Sequence, residues 1–215
     1  MNLWPWFSLT RETPAPSTEY DWPPYQQDRP VPTREDLSAL HRVGLDFVRL
    51  PVDPGPLLAF AGDRRRRLFA DVIDAADLAL AEHLSVVVNL HPNNATHYWN
   101  PARLVGDVSA PLFTRYLKLV GDMAAQLAHL DPARVAFELL NEPPQGCGAA
   151  DWAIMQGELL RTARRAAPSL TLVATGACGS MIAGLEALNP SGDSNLLYTF
   201  HFYEPYVFSH QGAPW

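Results

Sequence analysis

Positive charge is scarce in this sequence: 16 Lys and Arg stand against 23 Asp and Glu, a formal net charge of -7 over 215 residues. No nucleic-acid partner is expected, because binding phosphates takes a basic face. The one basic cluster, Arg64-Arg65-Arg66-Arg67, reads as the solvated start of a helix. Long apolar runs are missing as well. No window reaches the ~18–20 uninterrupted apolar residues of a membrane span, so no membrane partner is expected either. The opening residues MNLWPWFSLTRETPAP lack a basic n-region, and Pro5 and Arg11 break their apolar run, so they do not read as a signal peptide. Cysteine is limited to Cys147 and Cys178. Both fall in loops after successive strands, so a disulfide can be drawn between them, while two free thiols are the plainer expectation.

What is present suits a globular protein: 47% hydrophobic and 18% charged residues, enough chain for a sizeable core, and one domain expected over residues 1–215. Short apolar, β-branched runs alternate with amphipathic stretches. DFVRLPV (46–52), SVVVNLHP (85–92), RVAFELLNEP (134–143), LTLVAT (170–175) and NLLYTFHFYEP (195–205) read as strands, with NLWPWFSL near the N-terminus as the first. Helices are read over 33–44, 63–84, 109–130 and 151–167. The first of these has Thr33 as N-cap, an acidic first turn and Gly44 as its stop. Strict β-then-α alternation implies a parallel sheet with right-handed crossovers, either doubly wound or closed into a β/α barrel.

A second lack favours the barrel. No glycine-rich phosphate turn follows the first strand, as a dinucleotide-binding sheet would require. Instead, polar residues stand at the ends of several strands: Arg49, His91, Asn141-Glu142, and His201 with Tyr203. A barrel assembles one site from such ends, at its C-terminal face. About six strands are counted where a complete (β/α)8 barrel has eight, so an incomplete TIM barrel is expected, with its last two βα units missing. The Pro-rich stretch 10–32, with Tyr20, Trp22 and Tyr25, is expected to be a substrate-facing loop.

Glu142 is the foremost chemical candidate. A carboxyl half-buried at a barrel rim is expected to have its pKa raised by desolvation, which suits a general acid. Asn141 beside it can bind a substrate hydroxyl. Arg49 needs a carboxylate partner, either a catalytic Glu or a core acid such as Glu138. Tyr203 lies two residues after His201, so both point to the same side of their strand. Trp4, Trp6, Trp22, Tyr98, Trp99 and Trp215 fall in strand-end loops or near the chain ends, where aromatic faces suit stacking on pyranose rings.

With FELLNEPP, VRLPV, VVVNLHP and HFYEPYVFSHQGAPW in this order, the chain resembles glycoside hydrolase family 5, the cellulase-like enzymes. The resemblance implies a (β/α)8 barrel and a retaining hydrolase of β-linked glucan or mannan. It places the acid/base on Glu142 and a sugar 2-hydroxyl contact on Asn141, with Arg49, His91, His201 and Tyr203 as supporting residues. Trp99 and Trp215 are expected to bind substrate. No metal or cofactor is implied, a monomer is expected, and the substrate class points to a secreted or periplasmic protein. The family's nucleophile is a Glu at the end of the seventh strand, which would lie beyond Trp215, so this chain alone is expected not to turn over. Two other readings compete: a metal-dependent barrel hydrolase using His91, Glu142 and His201, and a non-catalytic oligosaccharide-binding remnant.

Overall fold

A computed structural model describes residues 1–4, 6–12, 16–25, 30–92 and 97–212. The chain begins with strands β1 (Thr10–Glu12) and β2 (Tyr20–Tyr25), then helix α1 (Arg34–Arg42) and strand β3 (Phe47–Val52). Helices α2 (Pro54–Ala59) and α3 (Gly62–Ala81) lead to β4 (Ser85–Leu90). Helices α4 (Pro101–Leu104) and α5 (Pro111–Leu127) precede β5 (Val135–Glu138), and α6 (Ala150–Ala166) precedes β6 (Thr171–Thr175). Short helices α7 (Ala177–Ser180) and α8 (Ile182–Glu186), strand β7 (Leu196–Thr199) and helix α9 (Tyr206–Ser209) follow.

Strands β3 to β7 form one five-stranded sheet in sequence order, every pair parallel. The N-terminal residues run beside β3 through parallel bridges Asn2 to Arg49 and Phe7 to Val52, as the first strand of the expected barrel should. This is the incomplete (β/α)8 arrangement. Helices α3, α5 and α6 cover the outer face, and α5 packs along α6. Both faces of the inner strands are therefore dry, which is why β4 alternates so little: Val86, Val88, Asn89 and Leu90 are all buried.

Local chemistry places the elements. Thr33 and Asp36 form a capping box at the start of α1, with Thr33 Oγ1 accepting from the Asp36 N–H and Asp36 Oδ2 from the Thr33 N–H. Gly44, at φ 90°, ends that helix as expected. Helix α2 was not read from the sequence, yet it carries a signal: Asp53 caps it through the Gly55 N–H at 2.8 Å, with Pro54 in the first turn. Arg65 in the basic run is less free than expected, since it pairs with Asp122 and donates to Leu57 O.

Stretch 10–32 departs from expectation. It folds over β1 and β2 as an antiparallel hairpin, and Tyr20 and Tyr25 are buried in the core rather than presented to a substrate. Trp22 remains half exposed, packed edge-on to Phe60 beneath Arg64. Residues 13–15 and 26–29 of this stretch lie outside the described residues. Cys147 and Cys178 form a disulfide, against the plainer expectation of free thiols, because the loops after β5 and β6 bring their Cα atoms to 4.8 Å. No helix among the described residues is long and apolar enough to cross a membrane.

Candidate active site

The strand ends converge. Arg49, His91, Asn141, Glu142, His201 and Tyr203, which come from four different strand ends, line one open cleft of about 490 Å³. Asn2, Thr199 and Phe202 complete its lining. Sequence reasoning did not single out those three, and Asn2 is there because the N-terminal segment pairs with β3 beside Arg49.

Glu142 follows the end of β5 with a left-handed φ of 45°, an uncommon backbone for a non-glycine residue. Two donors meet one of its oxygens: His201 Nδ1 lies 2.7 Å from Oε1, and the Tyr203 hydroxyl donates to Oε1 at 3.2 Å. The expectation of a raised pKa is corrected. Burial does push the carboxyl up, but the hydrogen bond and charge of His201 and the Tyr203 hydroxyl outweigh it, and the carboxyl is held below the ordinary value. Burial and the Glu142 charge, in turn, push the Tyr203 phenol up.

Arg49 takes the second of its two expected partners. Its Nε and Nη2 bind Glu138 Oε2 and Oε1 at 2.6 and 2.8 Å, a bidentate pair with a carboxylate that is 2% exposed. The guanidinium also donates from Nη2 to Asn141 Oδ1 at 2.9 Å. A guanidinium offers only donors, so Asn141 must present its oxygen there, and its NH2 is the end turned from that contact. Asn141 is further held by its N–H donating to Leu90 O at 2.9 Å.

His91 is neutral. Burial, then the Arg49 charge, lowers its pKa from 6.5 to about 3. Its Nδ1 faces Asn89 Oδ1 at 3.0 Å, while the Asn89 NH2 donates to Leu90 O. That network places the imidazole proton on Nδ1 and the lone pair on Nε2. Trp4, half exposed, packs edge-on against the His91 ring with centroids 5.3 Å apart.

Two expected substrate contacts stand apart. Trp99 is 2% exposed, packed beside Tyr98 and under the Arg115 guanidinium, because the loop after β4 folds its indole into the core. Trp215 lies outside the described residues. Glu142 is the one carboxylate lining the cleft among the described residues. Nor do those residues gather three or more His, Cys, Asp or Glu side chains in an arrangement that could hold a metal ion, so the metal-dependent reading finds no ligand set.

The family model for cellulase (glycosyl hydrolase family 5) matches residues 10–214. The chain belongs to glycosyl hydrolase family 5. This family 5 chain is 25% identical over 186 residues to cellodextrinase A of Ruminococcus flavefaciens, covering 84% of the chain and 54% of the relative. It is likewise 25% identical over 189 residues to endoglucanase C of Acetivibrio thermocellus, covering 85% and 53%. Its fold is similar to that of Thermotoga maritima Cel5A in complex with cellobiose, at TM-score 0.74 and 28% identity, over 90% of this chain and 60% of that one. A complex of the same T. maritima protein with mannotriose gives TM-score 0.73 and 27% identity over the same shares. The chain thus spans about half the length of cellodextrinase A and endoglucanase C.

Proposed function

We propose that this chain is the larger part of the catalytic domain of a retaining β-glycosidase acting on β-linked glucan, with Glu142 as its acid/base. The observation that carries the reading is the paired donation of His201 and Tyr203 to Glu142 Oε1 within the cleft. It leaves Oε2 as the oxygen to exchange a proton with the glycosidic oxygen. Asn141, its amide oriented by Arg49, donates its NH2 to a sugar hydroxyl, and the neutral His91 accepts from another through Nε2. Of the tryptophans considered, Trp4, packed edge-on against His91, and not the buried Trp99, offers an aromatic face beside these groups.

A retaining hydrolase needs a second carboxylate about 5–5.5 Å from the first to attack the anomeric carbon, while the acid protonates the leaving oxygen; the roles then reverse as water enters. The described partners of Glu142 favour its ionised form, which suits the second, base step. A nucleophilic carboxylate brought close would raise the Glu142 pKa and prepare the acid step. Our reading assigns that nucleophile to a Glu beyond Trp215, so residues 1–215 alone are expected to bind without turnover. β-Mannan is the second substrate class, favoured by the similarity to a protein solved with mannotriose. An oxidising, extracytoplasmic compartment fits both a polysaccharide substrate and the Cys147–Cys178 disulfide.

Titrating cellotetraose into ¹⁵N-labelled protein tests the site: resonances of Asn141, His91 and Trp4 are expected to shift, in the wild type and in Glu142→Gln alike. Shifts confined to other surfaces would overturn the reading. Hydrolysis of an aryl β-cellobioside is expected at background rate for both proteins. A rate lost only in Glu142→Gln would show that the chain carries its own nucleophile.

A further inference from the structure

Glu142 is held by more than the side chains that touch it. It lies in the connection from β5 to α6, and its carboxylate leans on His201 from the far side of β6. Between the two runs the connection after β6, where three consecutive residues are left-handed: Cys178 at φ 64°, Gly179 at 64° and Ser180 at 62°. Only the glycine adopts such a backbone without steric cost. A left-handed Cys and Ser persist where their surroundings over-determine the chain, and residues of this kind gather at functional sites.

Those surroundings form a closed circuit. The Cys178 N–H donates to Gln145 O at 2.8 Å and the Gly179 N–H to Pro143 O at 2.9 Å, the carbonyl next after Glu142. Ser180 O then accepts from the His201 N–H at 2.7 Å, and His201 Nδ1 returns to Glu142 Oε1 at 2.7 Å. In the core, Thr175 Oγ1 donates to Ser180 Oγ at 2.7 Å and anchors the segment to β6. The covalent closure is the bond from Cys178 to Cys147, 31 residues apart in sequence, which ties this segment to the loop that carries Glu142.

We propose that the Cys147–Cys178 disulfide is a positioning clamp for the acid/base: it fixes segment 178–180, whose Ser180 carbonyl sets the His201 backbone and so seats the imidazole on Glu142. The proposal rests on reading Glu142 as the acid/base. Neither cysteine lines the cleft that holds Arg49, His91 and Asn141; both act through His201. A dithiol reductant undoes the clamp by delivering two electrons and two protons, which convert the S–S bond into two thiols while the dithiol closes to its own cyclic disulfide. The left-handed residues then lose their covalent restraint, and His201 is free to leave the carboxylate.

The test follows the Glu142 carboxyl by ¹³C NMR in glutamate-labelled protein, its resonance assigned by its loss in Glu142→Gln. The titration is run on oxidised protein, after dithiothreitol, and in Cys147→Ser/Cys178→Ser. The midpoint is expected to rise by roughly half a pH unit or more when the bond is absent, as His201 and Tyr203 withdraw, and to return on reoxidation with oxidised glutathione. Protected amides of Val86 and Val88 in β4 report that the sheet stays folded. An unchanged midpoint in protein shown by mass to carry two thiols overturns the clamp. Should reduction open the sheet as well, Thr175→Val decides, since it keeps the disulfide and removes only the Ser180 anchor. With the bond intact, an unmoved midpoint there supports the disulfide as the clamp, and a raised one overturns it by giving control of segment 178–180 to the Thr175 hydrogen bond. Cellotetraose binding on the same samples separates the two readings. A midpoint that follows the disulfide without any binding overturns the glycosidase and leaves the clamp. Binding with a midpoint indifferent to reduction does the reverse.

Discussion

His91 shows how burial can set one residue's chemistry. Its ring sits among Arg49, Trp4 and Asn89, and burial with the Arg49 charge lowers its pKa from 6.5 to about 3. Its folded value lies below its unfolded one, so between about 3 and 6.5 the unfolded chain binds a proton that the native chain refuses. Stability from this source is complete above pH 6.5 and declines as pH falls toward 3, by at most about 1.4 kcal/mol per pH unit. We expect urea unfolding at pH 7, 6 and 5 to show this decline, and His91→Gln to flatten it over the same window. Parallel pH curves for the two proteins would remove His91 as the cause. Glu142 runs the other way from its sequence-based expectation, because desolvation was foreseen and two hydrogen-bond donors from a distant strand end were not.

Between elements, Arg49 is the principal polar tie. It reaches from β3 past β4 to Glu138 on β5, and onward to Asn141 beyond the end of β5. Glu138 is 2% exposed, so removing its partner strands a carboxylate in the core. Arg49→Met is expected to cost about 3–5 kcal/mol in chemical denaturation, with much of that loss recovered in Arg49→Met/Glu138→Met. A double variant no more stable than the single one would show that the pair contributes beyond mutual neutralisation. The same tie explains why Arg49 sits in an otherwise apolar strand: it orients Asn141 while satisfying a buried acid.

At the scale of the molecule, β7 is the outermost strand of the sheet among the described residues. Among the described residues that strand pairs with β6 alone, and Leu197 and Tyr198 are 54% and 42% exposed, with Phe200 and Phe202 exposed beyond them. An unpaired strand edge beside a contiguous apolar surface is a template for association. The chain by itself is therefore expected to self-associate as its concentration rises, despite the monomer expected from sequence, and sedimentation velocity should show it. Leu197→Lys should shift the distribution toward monomer. An association indifferent to that substitution would place the contact away from β7.

Much of this architecture was legible along the chain. The periodicity of 85–90 and 111–127, the Thr33 cap and the Gly44 stop are local effects, because helix ends and dry parallel strands leave their mark within a few residues. The polar residues at strand ends could be seen to belong to one face for the same reason. Which of them touch was decided by tertiary structure. Sequence spacing could not choose Glu138 over Glu142 as the partner of Arg49, turn Trp99 into the core, or bond Cys147 to Cys178. Nor could it reverse the pKa of Glu142. Those outcomes depend on distances between residues far apart in sequence, and such distances exist only once the sheet has set its register. Pattern along the chain determined what this protein is built from, and packing across the chain decided what each carboxylate, imidazole and thiol became.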